Sequence, residues 1–160
     1  MNTVSVRPLE DIDRPWAGDQ IARQWGARMI ISKGKVYYPD QLPGFVAFQA
    51  GKRAGLATYN IEDSDCELVS IQSLLEGHGA GSALLDAVRE AAKIAGCKRF
   101  WLITTNDNLR ALGFYQKRGM SLVAVYRNAM EAARKLKPQI PMIGQNGIPL
   151  RDEIELEMTL

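Results

Sequence analysis

The chain has 160 residues, 46% hydrophobic and 24% charged, which fits one ordinary folded domain over 1–160 and excludes a disordered chain, a collagen-like repeat or a disulfide-stapled scaffold. Twenty Lys and Arg against eighteen Asp and Glu leave a net charge of +2 without a basic stripe, so neither nucleic acid nor an anionic membrane is expected as a partner. One histidine, His78, and two cysteines, Cys66 and Cys97, are too few for a Cys/His zinc cluster and make a histidine triad a poor candidate, so no metal is expected. The cysteines lack CxxC spacing and read as reduced, buried side chains. No apolar run approaches the roughly 20 residues of a membrane span, and Met1-Asn2-Thr3-Val4-Ser5-Val6-Arg7 lacks the order of a signal peptide, so a cytoplasmic location is expected.

In chain order, Val4-Ser5-Val6-Arg7-Pro8-Leu9 alternates as a strand does, and Glu10-Asp11-Ile12-Asp13 closes it before a helix through Ile21-Ala22-Arg23-Gln24-Trp25. Short β-rich runs at 29–31, 36–38, 45–48, 56–61 and 67–71, broken by Gly, Pro and Asp turns, predict an antiparallel meander over 29–73. After Gly81 the period becomes helical, with a stripe of Leu84, Val88, Ala91 and Ala95, and Gly96 stands where a C-terminal cap belongs. Phe100-Trp101-Leu102-Ile103-Thr104-Thr105 reads as a strand covered on both faces, which makes strand, Gly-rich turn, helix and strand a βαβ unit. Asn108 caps a helix over 109–117 that Gly119 ends. A strand over 121–126, a short helix over 129–136, a loop over 138–149 and an alternating strand over 152–160 complete the chain.

The segment with chemical content is Ser73-Leu74-Leu75-Glu76-Gly77-His78-Gly79-Ala80-Gly81-Ser82, in which three alternate glycines precede a helix. Amides at a helix N-terminus have no intrahelical partner and can converge on an anion, and glycine lets phosphate approach the backbone. A plain glycine cap is the alternative. No Gly-Lys-Ser/Thr follows, which excludes a P-loop, and the spacing and preceding meander do not suit a dinucleotide fingerprint.

The segment resembles the acetyl-CoA pyrophosphate loop of the GNAT acetyltransferase superfamily, Arg/Gln-x-x-Gly-x-Gly/Ala, with Gly79 and Gly81 at the small positions and Glu76 in the Arg/Gln place. A second stretch, Asn108-Leu109-Arg110-Ala111-Leu112-Gly113-Phe114-Tyr115, resembles that superfamily's Asn-x-x-Ala-x-x-Phe-Tyr signature, and Met120 stands where Phe is usual in the following Gly-Phe. The resemblance covers 4–126. It implies an α/β (α+β) fold with a mixed, mostly antiparallel central sheet flanked by helices, whose central parallel strands, here 67–74 and 100–105, splay around the cofactor. It also implies that the backbone of His78, Gly79, Ala80, Gly81 and Ser82 holds the pyrophosphate of acetyl-CoA, that Ile71, Ser73 and Leu74 pair with the pantetheine as an added strand, that Asn108 contacts the pantetheine, and that Tyr115 lies near the thioester sulfur.

On that reading the chain is an N-acetyltransferase with acetyl-CoA as donor and a primary amine as acceptor. An alkyl amine of pKa near 10.4 is neutral in only about one molecule in 10³ at pH 7, so a base is required. Glu67 is one candidate, with Asp65, Glu62 and Glu76 near it. Glu155 belongs to a second set, because Glu153, Glu155 and Glu157 share one face of the last strand; that face reads either as solvated or as an acidic wall for a cationic amine. Tyr115 is the candidate acid for the departing thiolate, and a packed ring is its alternative role. His78 either faces a phosphate or is an exposed loop residue. A non-catalytic acyl-CoA-binding module and transfer of a longer acyl chain are the competing functions, and a homodimer is left open as the assembly.

Overall fold

A computed structural model describes residues 3–75 and 77–160. Strand β1 (Val4–Pro8) leads through a 3-10 turn into helix α1 (Arg14–Trp25), which has proline in its first turn and ends at Gly26 in the left-handed conformation. Asp13, fully buried at that entry, accepts hydrogen bonds from Arg7 of β1 and from Arg53, so the helix start is tied to the sheet by charge. Strands β2 (Ile30–Ser32) and β3 (Lys35–Tyr37) follow, joined by Lys33 and Gly34, both with positive φ, as a two-residue hairpin turn demands.

Strands β4 (Gly44–Gln49), β5 (Lys52–Glu62) and β6 (Asp65–Ser73) form an antiparallel meander. The expected meander over 29–73 is therefore too long: β2 and β3 pair only with each other and form a separate two-stranded sheet. Helix α2 (Ala80–Ile94), strand β7 (Arg99–Thr105), helix α3 (Leu109–Lys117), strand β8 (Ser121–Tyr126), helix α4 (Ala129–Leu136) and strand β9 (Glu153–Thr159) complete the chain. The large sheet runs β1-β4-β5-β6-β7-β9-β8. Its one parallel pair is β6 with β7, joined by α2 as a βαβ crossover.

That pair meets only from Asp65 opposite Arg99 to Leu68 opposite Leu102. Beyond it β6 stays with β5 and β7 with β9, so the sheet forks. At the fork the β5–β6 register shifts: Thr58 faces Ser70 and Tyr59 faces Leu68, which leaves Val69 as an extra residue in a bulge. A bulge bends its strand and increases the local twist, and here it turns β6 away from β7.

Helix α2 covers one face of the sheet, with Leu84, Leu85 and Val88 packed among Ala47, Ala57, Leu68, Phe100 and Leu102. Its buried stripe is Ala80, Leu84, Leu85, Val88 and Ala92. The expected Ala91 and Ala95 are not in it, because the stripe centres on Val88 and the helix stops at Ile94. Helix α1 covers the other face through Ile21, against Val46, Leu56 and Val69. The hairpin β2–β3 extends that second layer over β6, β7 and β9, where it meets the acidic face of β9. Glu153 and Glu155 are only 4% exposed, so the solvated reading of this face fails for them, while Glu157 at its end stays partly exposed.

Candidate active site

A cleft of about 540 Å³ opens where β6 and β7 part. From Val69 onward, the edge of β6 that faces β7 has no strand partner, so its backbone is free to pair with an extended ligand. The cleft ends on the N-terminus of α2. Gly79 caps that helix with φ +82°, and the first intrahelical bond runs from Ala83 N–H to the Gly79 carbonyl. The amides of Ala80, Gly81 and Ser82 therefore have no acceptor within the helix. Three adjacent donors at the positive end of a 15-residue helix make an anion seat.

Helix α3 supplies the facing wall. Phe114 lies close enough that a Cβ on Gly81 would sit 3.3 Å from its ring, so a small residue is needed there for packing as well as for anion approach. The Tyr115 ring stands edge-on to Phe114 at 5.4 Å, is 7% exposed, and borders the cleft. Burial alone pushes its phenol well above the usual value, because the charged phenolate is desolvated there. Asn108 caps α3: its carboxamide oxygen accepts from Ala111 N–H at 3.3 Å and its nitrogen lies 3.4 Å from Thr104 Oγ1.

Ile71, Ser73, Gly79, Ala80, Gly81, Ser82, Asn108 and Tyr115 are thus all brought to one cleft. Leu74 and His78 are not. Leu74 is exposed and gives its amide to the Ala54 carbonyl, while the exposed His78 ring turns toward β4, where Gln49 Nε2 donates to Nδ1 at 3.0 Å. Glu76 lies outside the described residues. Glu67 and Glu155 do not border the cleft either; they lie under the hairpin on the opposite face. Glu67, 4% exposed, accepts from Ser32 Oγ at 2.6 Å and Tyr37 Oη at 2.7 Å, and burial outweighs both bonds to hold its carboxyl above the ordinary value. Glu155 is ion-paired to Lys33 Nζ at 3.0 Å and to Arg99 and accepts from Tyr126 Oη; burial opposes its ionisation, yet these partners together hold its carboxyl below the ordinary value. Glu62 is held by Lys35.

Arg118 and Gln72 also line the cleft, though no sequence motif singles them out. Arg118 stacks 3.7 Å from the Phe114 ring centroid and donates to Ser82 Oγ through Nε at 2.9 Å, placing a guanidinium beside the anion seat. Its position three residues after Tyr115, on the same helix face one turn on, was the available signal. Gln72 borders the cleft from the α1 side with a buried Nε2 that has no hydrogen-bond partner. No group of three or more His, Cys, Asp or Glu among the described residues is arranged to hold a metal, and no described helix is long and apolar enough to cross a membrane.

A forked mixed sheet with a backbone anion seat at the fork suits an extended ligand that ends in an anionic group, and it defines a class of proteins that hold such a ligand between splayed strands. The family model of the acetyltransferase (GNAT) family matches residues 9–120, and the chain belongs to that family. It is 48% identical over 151 residues to the Bacillus subtilis (strain 168) protein YdhI, covering 93% of this chain and 94% of that one. Among solved structures it resembles the IAA acetyltransferase of Bacillus cereus ATCC 14579, with a TM-score of 0.73, 24% identity and coverage of 99% of this chain and 100% of that one. It also resembles a GNAT family acetyltransferase of Elizabethkingia anophelis solved with acetyl-CoA bound, with a TM-score of 0.71, 20% identity and 99% coverage of both chains.

Proposed function

We propose that residues 1–160 act as one cytoplasmic N-acetyltransferase domain that moves the acetyl group of acetyl-CoA to a primary amine by direct attack. The observation that carries this reading is the fork itself: an unpaired strand edge leads straight to three amides at a helix N-terminus that have no acceptor within the helix. Pantetheine pairs along Ile71 and Ser73 and reaches Asn108, and the pyrophosphate sits on the amides of Ala80, Gly81 and Ser82 with Arg118 beside them. The thioester then lies near Tyr115. The buried, free Cys66 and Cys97 suit a reducing compartment.

Tyr115 delivers its proton to the departing thiolate. Against a free thiol of pKa about 8.5, an ordinary phenol of pKa about 10 makes that transfer uphill by roughly 2 kcal/mol. Burial raises the phenol further and so works against transfer, but a thiolate in the same dry cleft is destabilised by the same desolvation, which narrows the gap. Of the two candidate bases, Glu67 fits better than Glu155. A carboxyl raised by burial holds a proton more readily than one lowered by Lys33, Tyr126 and Arg99. Because Glu67 lies off the cleft, it acts through water. Acceptor-dependent release of CoA thiol from acetyl-CoA, across a panel of amines, tests the reading: release confirms turnover, and binding of acetyl-CoA with no release for any amine makes the chain a binding module.

A further inference from the structure

On the hairpin side of the sheet lies a second cavity of about 300 Å³, between the β2–β3 turn and α4. Its walls are mostly apolar, with Ala132, Ala133 and Leu136 contributed by α4, and the one carboxylate on them is Glu153. Three buried carboxylates share this face of the sheet, and they are partnered very unequally. Glu67 accepts from two hydroxyls, and Glu155 is held by Lys33, Arg99 and Tyr126. Glu153, 4% exposed, has one long hydrogen bond, 3.3 Å from the Lys33 backbone N–H. Its second oxygen is not sealed in the interior and opens on the cavity, where a donor can reach it. The group that completes Glu153 is a cationic donor, and the space for it is the cavity.

The chain also displays what this wall accepts. The Lys33 ammonium lies 5.0 Å from the ring centroid of Tyr126 and 5.3 Å from that of Trp101, and 3.0 Å from Glu155. An ammonium held by two aromatic faces and a carboxylate is a complete cation site, occupied by the protein's own side chain. Tyr126 borders the cavity as well and stands opposite Glu153 in the β8–β9 register. We infer that this cavity binds a primary alkylammonium, its head on Glu153 beside the Tyr126 ring and its methylene stem along α4. Glu153 pairs with Thr105 of β7, next to Thr104 at the cleft, so the site adjoins the fork. The inference deepens the acetyl-transfer reading by naming an amine with an apolar stem as acceptor, and it rests on that reading only for the word acceptor.

Calorimetric titration of the whole protein with hexylammonium at pH 7, against hexan-1-ol as the uncharged isostere, tests it. Hexylammonium is expected to bind about tenfold or more tightly than hexanol, and Glu153→Gln to lose about tenfold or more of that affinity. Ala132→Phe, at an exposed position of α4, fills the cavity and abolishes binding of both, and it carries the test alone should Glu153→Gln fail to fold. Absence of binding to the unaltered protein, equal affinity for hexanol, or affinity unchanged in either variant overturns the inference. Thiol release with acetyl-CoA and hexylamine, measured on the same proteins, reports separately on transfer. Binding without release keeps the ammonium site and removes hexylamine as acceptor. Release indifferent to both variants keeps transfer and removes this cavity as the acceptor pocket.

Discussion

The two faces of the β6–β7 fork are built from different materials. On the α2 side the chemistry is carried by backbone: three amides at a helix end, an unpaired strand edge, and one tyrosine against them. On the hairpin side it is carried by charged side chains, Glu67, Glu153 and Glu155 with Lys33 and Arg99, most of them drawn from elements far apart in the chain. A backbone site is rigid and indifferent to pH, as suits a cofactor that never changes. A side-chain site is tunable, and its charge depends on which hydroxyls and ammonium groups lie over it. The fold thus separates a face built on fixed backbone groups from one built on adjustable side chains, and the proposed reading gives the donor to the first and the acceptor to the second.

The sharpest way to break the comparison is to spoil the backbone seat. Gly79 holds φ +82°, which a β-branched residue adopts only under strain, so Gly79→Val reorients the amides that follow. Loss of acetyl-CoA affinity by about 100-fold or more is expected in calorimetry, and retained affinity rejects the anion seat. Gly81→Val has the same expected effect by a different route, pressing on the Phe114 ring. The next largest effect belongs to Tyr115→Phe, which keeps the edge-on ring contact and removes the proton. It should lower kcat by about 10²-fold and leave the KM for acetyl-CoA within about twofold; kcat unchanged across the pH profile removes Tyr115 from the chemistry. Arg118→Met is expected to weaken acetyl-CoA binding by about tenfold and to flatten its salt dependence. Arg118→Lys should restore part of the affinity, since an ammonium keeps the charge and loses the fork that grips Ser82. An unchanged salt dependence in Arg118→Met makes the guanidinium a packing element of α3 only.

The same division explains what could be read from residues alone. Alternate glycines before a helix encode a free helix end locally, so the seat, the βαβ unit around it, and Asn108 as a cap are legible. The fork is legible only through the family resemblance, which implies that 67–74 and 100–105 splay; no local pattern encodes it, because it accompanies a bulge at Val69 that no neighbouring residue announces and the end of β6–β7 pairing at Leu68 and Leu102. The acidic face is only half legible. Alternation puts Glu153, Glu155 and Glu157 on one side of β9, but whether that side meets water depends on a hairpin more than 110 residues earlier in the chain. The Lys33-Gly34 turn signal marks the hairpin without saying that it leaves the main sheet to cover those carboxylates. Arg118 is missed because its partner Ser82 is 36 residues away and only the packing of α3 on the α2 terminus joins them.

The smallest expected effect probes the adjustable face. Burial raises the Glu67 carboxyl, while the Ser32 and Tyr37 hydroxyls, bonded to its charged form, pull it partly back. Ser32→Ala removes one of these bonds and should push the carboxyl higher still, by about one pKa unit or less, since a hydrogen bond to a charged group is worth about 1.5 kcal/mol and a unit is 1.36 kcal/mol. If Glu67 accepts the amine's proton through water, the acid limb of kcat/KM moves to higher pH by the same amount. The stability effect has a definite sign. A carboxyl whose folded pKa lies above its unfolded value contributes stability that is full below about pH 4.3 and is lost as pH rises through the folded pKa, because the ionised group is the one that burial penalises. Ser32 bonds that ionised form, so the destabilisation of Ser32→Ala in urea should be larger at about pH 7.5 than at about pH 4.5. Should the stability difference appear while the acid limb stays in place, Glu67 is a structural carboxyl under the hairpin and the proton leaves by another route.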